Sequence, residues 1–361
     1  MVTESATGVG VYTVQLINHL VPHLKANKID YHIYSYYKEQ FKDGEEIKLI
    51  SLGKLLDKLL IKKITLHRQI WNMVYLNFIG RKYEMLYSFS SHGSLYHKNQ
   101  IITIHDLICF AYPQQHKSQY FYFKKYIPLL IKHSKQVVTI SNFTKKEVLT
   151  YYKPVESAKI TVIYNGVDHF NNACVKDEDL QWVNSITAGK PFCLTVGASY
   201  PHKNVETLLT VAKQLKDITN FVIVNKPNPY FIGLQQKAKE MQLNNVIFLA
   251  YVEEKKLAAL YKLAKLNLYL SLYEGFGFPP AEALFFGTPS LIANQGALSE
   301  VYENMMDFTD PLKVDEIVQK VKSHINNEKE VKVLFNELKE KYNWEKSSFS
   351  TFQLINTFIQ Q

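Results

Sequence analysis

Cysteine is nearly absent from this 361-residue chain: only Cys109, Cys174 and Cys193 occur, widely spaced and without a C-x-x-C pair. An odd, scattered set of this kind excludes a disulfide framework and a thiolate metal site, and leaves small core residues. Long apolar runs are missing too. None approaches the ~18 consecutive residues of a membrane-spanning helix, and no charged-then-apolar leader opens the chain. The expectation is a cytoplasmic protein. Internal repeats and low-complexity tracts are also absent. With 47% apolar and 21% charged residues, the composition excludes disordered, collagen-like and coiled-coil proteins. At about 150 residues per domain, the length fits two domains.

Charge is present in excess and unevenly placed. The net charge is +9, with 23 Lys/Arg against 15 Asp/Glu in residues 1–185 and 19 against 18 in the remainder. A basic half joined to a neutral half points to an anionic partner for the first half. Nucleic acid, a phosphorylated substrate and an acidic membrane surface all satisfy that, and no nucleic-acid-binding motif accompanies the charge.

Short apolar runs alternate with longer amphipathic ones, the pattern of helices wrapped on a parallel sheet. Strands are expected at 31–37, 48–52, 85–89, 101–104, 137–140 and 161–164, then at 192–196, 221–224, 246–249, 266–271 and 290–293. The polar run Asn171–Pro191 between these sets reads as a linker. From Val314 to Lys341 helical spacing dominates, and Trp344–Ile359 is a further helix with no strand after it. The reading is an α/β protein with domains at 1–185 and 186–343 and a C-terminal helix at 344–361. At the front, Thr7–Gly10 forms a glycine turn into a helix over Val11–Leu24. Only the short, polar Met1–Ala6 stands where such a turn normally follows a buried strand.

Three stretches carry candidate chemistry. In LYLSLYEGFGFPPAEALFFGTP an apolar strand ends at Ser271. The loop Glu274–Phe278 follows, with glycines that allow close backbone approach to a ligand. Pro279 and Pro280 then suit the first turn of a helix that Gly287 stops. A strand–glycine loop–helix unit is an anion site. Here it is flanked by two carboxylates, Glu274 and Glu282, which accept hydrogen bonds from vicinal hydroxyls. A sugar joined to a phosphate fits that better than phosphate alone. In LTVGASYPHKNVETLL a strand ends at Gly197, and Lys203-Asn204 open a helix where a second phosphate contact would sit. In IITIHDL a strand ends in His105-Asp106. In open α/β sheets ligands bind at the carboxyl ends of strands, so all three stretches fit one cleft.

These residues resemble a family, the retaining glycosyltransferases of family four. EGFGFPPAEALFFGTP is similar to the family's E-G-F-G-x-P-x-x-E-A-x-x-x-G-x-P signature, and VGASYPHKN to its V-G-x-x-x-P-R-K-N block. ITIHDL, VTISNFTKKE, VIYNGVD, LAALYKLA and YNWEKSS have family counterparts in the same order, so the resemblance spans nearly the whole chain. It implies the GT-B fold: two Rossmann-like domains facing each other across a cleft, with the C-terminal helix crossing back to the first.

The resemblance also implies a site. Glu282 would hold the ribose hydroxyls of a nucleotide-sugar and Glu274 the donor sugar. Backbone of Phe276, Gly277 and Phe278, with Lys203, would hold the diphosphate, and Gly197, His202 and Asn204 would line the donor pocket. His105 would touch the donor sugar, and Gly8 and Gly10 would lie by the phosphates or acceptor. His105, Glu274 and Lys203 are the expected catalytic set. No cofactor and no metal is implied, because cation and helix end together stabilise the departing diphosphate. The expected activity moves a hexose from a GDP- or UDP-sugar to a glycan or lipid-linked acceptor in surface polysaccharide synthesis. The expected alternative is a catalytically weakened sugar-nucleotide-binding or scaffold protein. Two departures bear on it: Ala198 and His202 stand where the family carries an arginine, and the family's full first strand is missing or shortened.

Other motifs have plainer readings. His19 and His23 share a helix face at i, i+4 but lack a third metal ligand. Asp177-Glu178-Asp179 spells a D-x-D without the preceding apolar strand that motif needs, and reads as a solvated charge run. Glu274 and Glu282 as a glycosidase acid/base pair would leave the glycine loop without a role. Leu52–Arg68, rich in Lys and Leu, reads equally as a helix packed on the sheet or as peripheral contact with an anionic membrane. The aromatic stretch Tyr112–Tyr126 could floor an acceptor site.

Overall fold

The computed structural model describes residues 8–37, 39–42, 46–51, 57, 67, 70–170, 175–326 and 331–359. The chain divides into two units, Met1–His169 with Tyr342–Gln361, and Phe170–Lys341.

The second unit is built on six parallel strands: β7 (Phe192–Val196), β8 (Asn220–Val224), β9 (Val246–Leu249), β10 (Leu266–Tyr269), β11 (Ser290–Ala293) and β12 (Asp307–Thr309), in the order β12-β11-β10-β7-β8-β9. The central strands are buried along their length, with Cys193 against Phe221 and Leu266. Runs such as FVIV read as continuous apolar stretches because both faces of a parallel sheet are covered. One face takes helices Val205–Gln214, Pro229–Glu240 and Val314–Asn326 through Leu208, Phe231 and Ile317. The other takes Asp177–Thr187 and Glu254–Leu263 through Val183 and Leu260. Local signals start these helices: the Asn228 side chain accepts from Phe231 N–H at 2.8 Å, with Pro229 at the first helical position.

Two expectations change here. The stretch 171–191 is no plain linker, because Asp177–Thr187 is a helix whose Val183 and Ile186 join the second unit's core. The division accordingly falls at His169/Phe170. Asp179 closes that helix's first turn by accepting from Lys176 N–H at 3.0 Å, which is what the D-x-D spelling does in the fold. Strand β12, only three residues long, was too short to read as a strand; it pairs with β11.

The first unit contains strands β1 (Ile33–Ser35) and β2 (Ile47–Leu49), paired parallel, and the parallel sheet β3 (Leu86–Ser88), β4 (Gln100–Ile104), β5 (Gln136–Thr139), β6 (Ile160–Val162). Helix Val9–Ala26 and the C-terminal helix Trp344–Ile359 pack on one face through Leu20, Leu24, Phe352 and Ile355. Phe123, Ile127 and Leu130 cover the other. A cavity of about 310 Å³ is lined by both sheets, by Ile33 and Tyr34 of β1 and by Leu86 and Tyr87 of β3, and is roofed by Ile17 and Leu20. Among the described residues neither β1 nor β3 has a second strand partner. The segment preceding Gly8, on which the first-strand expectation falls, lies outside the described residues. So does most of Leu52–Arg68: of that basic run Asp57 and His67 alone are described, hydrogen-bonded at 2.7 Å. Among the described residues no helix is long and apolar enough to cross a membrane. Cys109 and Cys193 are free and buried, and Cys174 lies outside the described residues.

The VIYNGVD run shows why it takes that spelling. Trp344, fully buried, starts the C-terminal helix: its backbone N–H donates to Asp168 at 2.9 Å and its indole N–H to His169 Nδ1 at 3.2 Å. A Cβ on Gly166 would lie 2.3 Å from the Trp344 nitrogen. Gly166→Ala is therefore expected to cost about 2–3 kcal/mol by overpacking, read as a lower melting temperature of the full chain. An unchanged melt would show that this junction gives way freely.

Candidate active site

In the second unit two loops leave the carboxyl ends of adjacent strands β7 and β10. The β7 loop turns at Gly197, whose φ of +87° favours glycine and beside which a Cβ would meet open space. Asn225 fastens it: its side-chain oxygen accepts from Ala198 N–H at 3.0 Å and Ser199 Oγ at 2.8 Å. A short 3-10 turn, Pro201–Lys203, then delivers Lys203, and Asn204 takes a left-handed φ of +57° before the next helix. The β10 loop is bolted to the first one, Leu272 N–H donating to the His202 carbonyl at 2.7 Å.

That bolt brings Lys203 and Glu274 together. Lys203 Nζ lies 2.5 Å from Glu274 Oε1, and the Tyr269 hydroxyl donates to the same oxygen at 2.6 Å while accepting from Lys203 at 3.1 Å. The pair is mostly shielded, with side-chain exposures of 19% and 13%. Burial pushes the Glu274 carboxyl up, but the adjacent ammonium and the Lys203, Tyr269 and Ser271 hydrogen bonds outweigh it and hold it below the ordinary carboxylate range. The glycine loop is fixed from below. Phe276 is buried, so only its main chain is left to face a ligand, and the Tyr302 hydroxyl donates to the Gly277 carbonyl. Gly277 has φ +89°, and a Cβ there would strike Leu298 at 2.6 Å. Phe278 precedes the helix Pro279–Phe285, which carries Glu282 in its first turn and ends at Gly287, φ +85°. Glu282 differs electrostatically from Glu274. Burial raises its carboxyl, and the Tyr261 hydroxyl, donating at 2.7 Å, only partly opposes this.

Two expected donor-pocket residues are committed to the protein itself. The His202 ring is buried and stacks on Tyr200 at 5.7 Å. The Asn204 amide donates to the Pro311 carbonyl at 2.8 Å and its oxygen accepts from Thr207 at 2.7 Å. Ala198, the other position lacking arginine, is fully buried.

In the first unit His105 ends β4. Its Nε2 hydrogen-bonds the Phe89 carbonyl at 2.9 Å, which requires the proton on that nitrogen. Burial lowers its pKa to about 4, so the ring is neutral at pH 7. Tyr12 packs edge-on against it, ring centroids 4.6 Å apart. That contact brings His105 near the opening turn, where Gly8, φ +44°, caps the helix and Gly10 is buried in its first turn. Asp106 caps, its carboxylate accepting from Ile108 N–H at 3.1 Å. His19 bonds the Gln15 carbonyl at 2.8 Å and His23 pairs with Glu345 at 3.1 Å. Among the described residues no three His, Cys, Asp or Glu gather to hold a metal. In the aromatic stretch Phe123 belongs to the core, Tyr122 donates to the Ser91 carbonyl at 3.0 Å, and Phe121 stands exposed.

The three tyrosines beneath the loop, Tyr261, Tyr269 and Tyr302, are the site residues that sequence reading missed. The signal was a phenol at the end of the strand Leu266–Tyr269, every residue of which is buried: a buried hydroxyl needs a partner.

Comparison with known proteins gives the family and the fold. Residues 6–169 match the model described as Glycosyltransferase Family 4, and residues 176–341 that described as Glycosyl transferases group 1. The chain belongs to this glycosyltransferase family. It is 34% identical over 215 residues to the O-antigen chain mannosyltransferase RfbU of Salmonella typhimurium, a match covering 59% of this chain and 57% of that relative. It is 24% identical over 340 residues to O-antigen chain mannosyltransferase B of Escherichia coli, covering 86% and 85%. Its fold is similar to sucrose-phosphate synthase from Thermosynechococcus elongatus, with TM-score 0.71, 17% identity and coverage of 99% and 95%. It is also similar to Anabaena Alr3699/HepE in complex with UDP-glucose, with TM-score 0.70, 15% identity and coverage of 100% and 98%. Two Rossmann-like parallel-sheet units with these neighbours make the architecture GT-B.

Proposed function

We propose that the protein is a retaining, metal-independent hexosyltransferase that uses a nucleoside diphosphate sugar, GDP- or UDP-linked, and glycosylates a glycan or lipid-linked acceptor in surface polysaccharide synthesis. The observation that carries this is the shielded Lys203–Glu274 pair beside a tyrosine-braced glycine loop, with a second carboxylate, Glu282, in the first turn of the helix that follows. Lys203 takes the diphosphate, Glu282 the ribose hydroxyls and Glu274 a hydroxyl of the sugar. His105, neutral and with its one proton on Nε2 donated to Phe89, offers the substrate only an acceptor, Nδ1. The C1–O bond to phosphate breaks as the acceptor oxygen bonds C1 on the same face, and the acceptor proton passes to the leaving phosphate oxygen. Lys203 neutralises the charge that builds on that oxygen, the step where a preorganised cation counts most. The O-antigen relatives support the polysaccharide setting, and the UDP-glucose complex of the fold neighbour supports a nucleotide-sugar donor.

The test is melting of the full chain with UDP, GDP, UDP-glucose and GDP-mannose in EDTA. Stabilisation of about 2.7 kcal/mol at a hundredfold excess over Kd is expected for the cognate nucleotide. No shift with any of them would overturn the proposal. Binding without turnover on any acceptor would favour the scaffold reading, for which the arginine-free positions Ala198 and His202 speak.

A further inference from the structure

The Tyr269 hydroxyl sits where two competing demands on Lys203 meet. In the structure Lys203 is satisfied by Glu274 and Tyr269. A diphosphate reaching Lys203, as proposed above, competes with Glu274 for the same ammonium, and its two charges, one on each phosphate, outweigh a single carboxylate. Glu274, at 13% exposure, would then lose its counter-charge at the moment it must point at the sugar. A buried carboxylate in that position either neutralises or turns away unless another donor holds it. Tyr269 is that donor. It lies on β10 rather than on either loop, it is 3% exposed, and its hydroxyl is 2.6 Å from Glu274 Oε1. A strand residue keeps its place while the loops around it adjust.

We propose that Tyr269 is a positioning residue that carries Glu274 through an exchange of partners on Lys203. Glu274 is the lysine's counter-ion before the donor binds, and phosphate replaces it there on donor binding while the phenol, with Ser271 beside it, keeps the carboxylate aimed at the sugar. This rests on the nucleotide-sugar reading. It goes beyond that reading in making the Lys203–Glu274 pair a resting state that the donor opens.

The titratable groups acting on Glu274 are Lys203 from the Pro201–Lys203 turn and Tyr269 from β10; Glu282 from the Pro279–Phe285 helix and Tyr302 after the Gly296–Val301 helix act on Tyr269 in turn, and Tyr261 lies behind Glu282. Of these, Lys203 and Tyr269 lower the Glu274 carboxyl. Removing the phenol hydroxyl therefore moves that carboxyl upward, and the acidic limb of activity moves to higher pH with it. A loss of mere packing would leave the limb in place.

The experiment measures metal-free hydrolysis of UDP-glucose and GDP-mannose, which needs no acceptor, by wild type, Tyr269→Phe and Tyr302→Phe across pH 4–9. Nucleotide binding is followed by calorimetry and the Glu274 carboxyl by carbon NMR. For Tyr269→Phe the expected result is a ten- to hundredfold lower kcat, a KM within about threefold of wild type, and an acidic limb and carboxyl titration both displaced to higher pH. Tyr302→Phe is expected to leave the carboxyl titration where it was. Nucleotide binding by wild type combined with an unmoved limb in Tyr269→Phe overturns this proposal alone. Wild type that binds no nucleotide overturns the donor reading and this proposal with it. Should Tyr269→Phe melt early, its carboxyl titration below the melt still decides whether the phenol holds Glu274.

Discussion

Glu282→Gln is expected to melt no lower than wild type at pH 7, and to lose nearly all stabilisation by nucleotide. The sign follows from its environment. Burial raises the folded carboxyl above its unfolded value, and the Tyr261 hydrogen bond does not cancel that. A group raised in the fold contributes its stability below the ordinary carboxylate range and loses it as pH rises through the raised value, so the ionised form burdens the fold at neutral pH. Glutamine keeps the shape and still accepts from Tyr261 without carrying charge. Binding runs the other way. A carboxylate accepts from both hydroxyls of a ribose, whereas an amide offers one acceptor, and hydrogen bonds to a charged group are worth about 1.5–3 kcal/mol each. The expected penalty of about 3 kcal/mol is on the order of a hundredfold in Kd. At a nucleotide concentration one hundred times the wild-type Kd, the shift in melting should all but vanish. The measurement is a melt of both proteins with and without the cognate nucleotide, repeated at pH 5, where the variant's advantage should shrink. Equal nucleotide shifts in the two proteins would remove Glu282 from the site.

Much of this architecture is legible from the letters alone, and the reason is the parallel sheet. A strand such as Phe221–Val224, buried on both faces, announces itself as an unbroken apolar run, and the glycines at 197, 277 and 287 sit where the backbone takes φ near +87° and its neighbours. Glu274 and Lys203, in the segments that follow strand ends, and Glu282, in the first turn of the next helix, stand out in the sequence because they lie at fixed offsets from those glycines. Partnerships across the fold are less legible. That the His202 and Asn204 side chains pack on or bond to the protein depends on Tyr200, Thr207 and Pro311, and no local spacing reports the last of these. Likewise Asp177-Glu178-Asp179 reads as loop charge until Val183 and Ile186 are seen to bury against the second unit, which turns the run into the start of a helix. The three tyrosines are the sharpest case. Their hydroxyls matter through residues 5, 21 and 25 positions away in sequence.

Lys203→Met is expected to lower turnover by about a thousandfold, the scale of removing a preorganised charge from a developing oxyanion, and to destabilise the protein as well. With the ammonium gone, nothing but the Tyr269 and Ser271 hydrogen bonds opposes the desolvation of Glu274, and the carboxyl climbs. Breaking one partner of a shielded pair costs about 3 kcal/mol, because the survivor stays buried without its counter-charge. In wild type the lowered carboxyl contributes stability above the ordinary carboxylate range, and that contribution is lost as pH falls through the lowered value. Lys203→Met should therefore lose its deficit against wild type as the solution is acidified. The double variant Lys203→Met with Glu274→Gln separates the two effects. Replacing both charges by groups of similar shape should return the melting temperature to near that of wild type, while turnover remains as low as in the single variant. Melting curves at pH 4 and 7 for the single and double variants, with donor hydrolysis rates alongside, provide the measurement. A double variant as unstable as Lys203→Met would show that the lysine acts through packing of its stem. A single variant with wild-type turnover would take the cation out of the chemistry altogether.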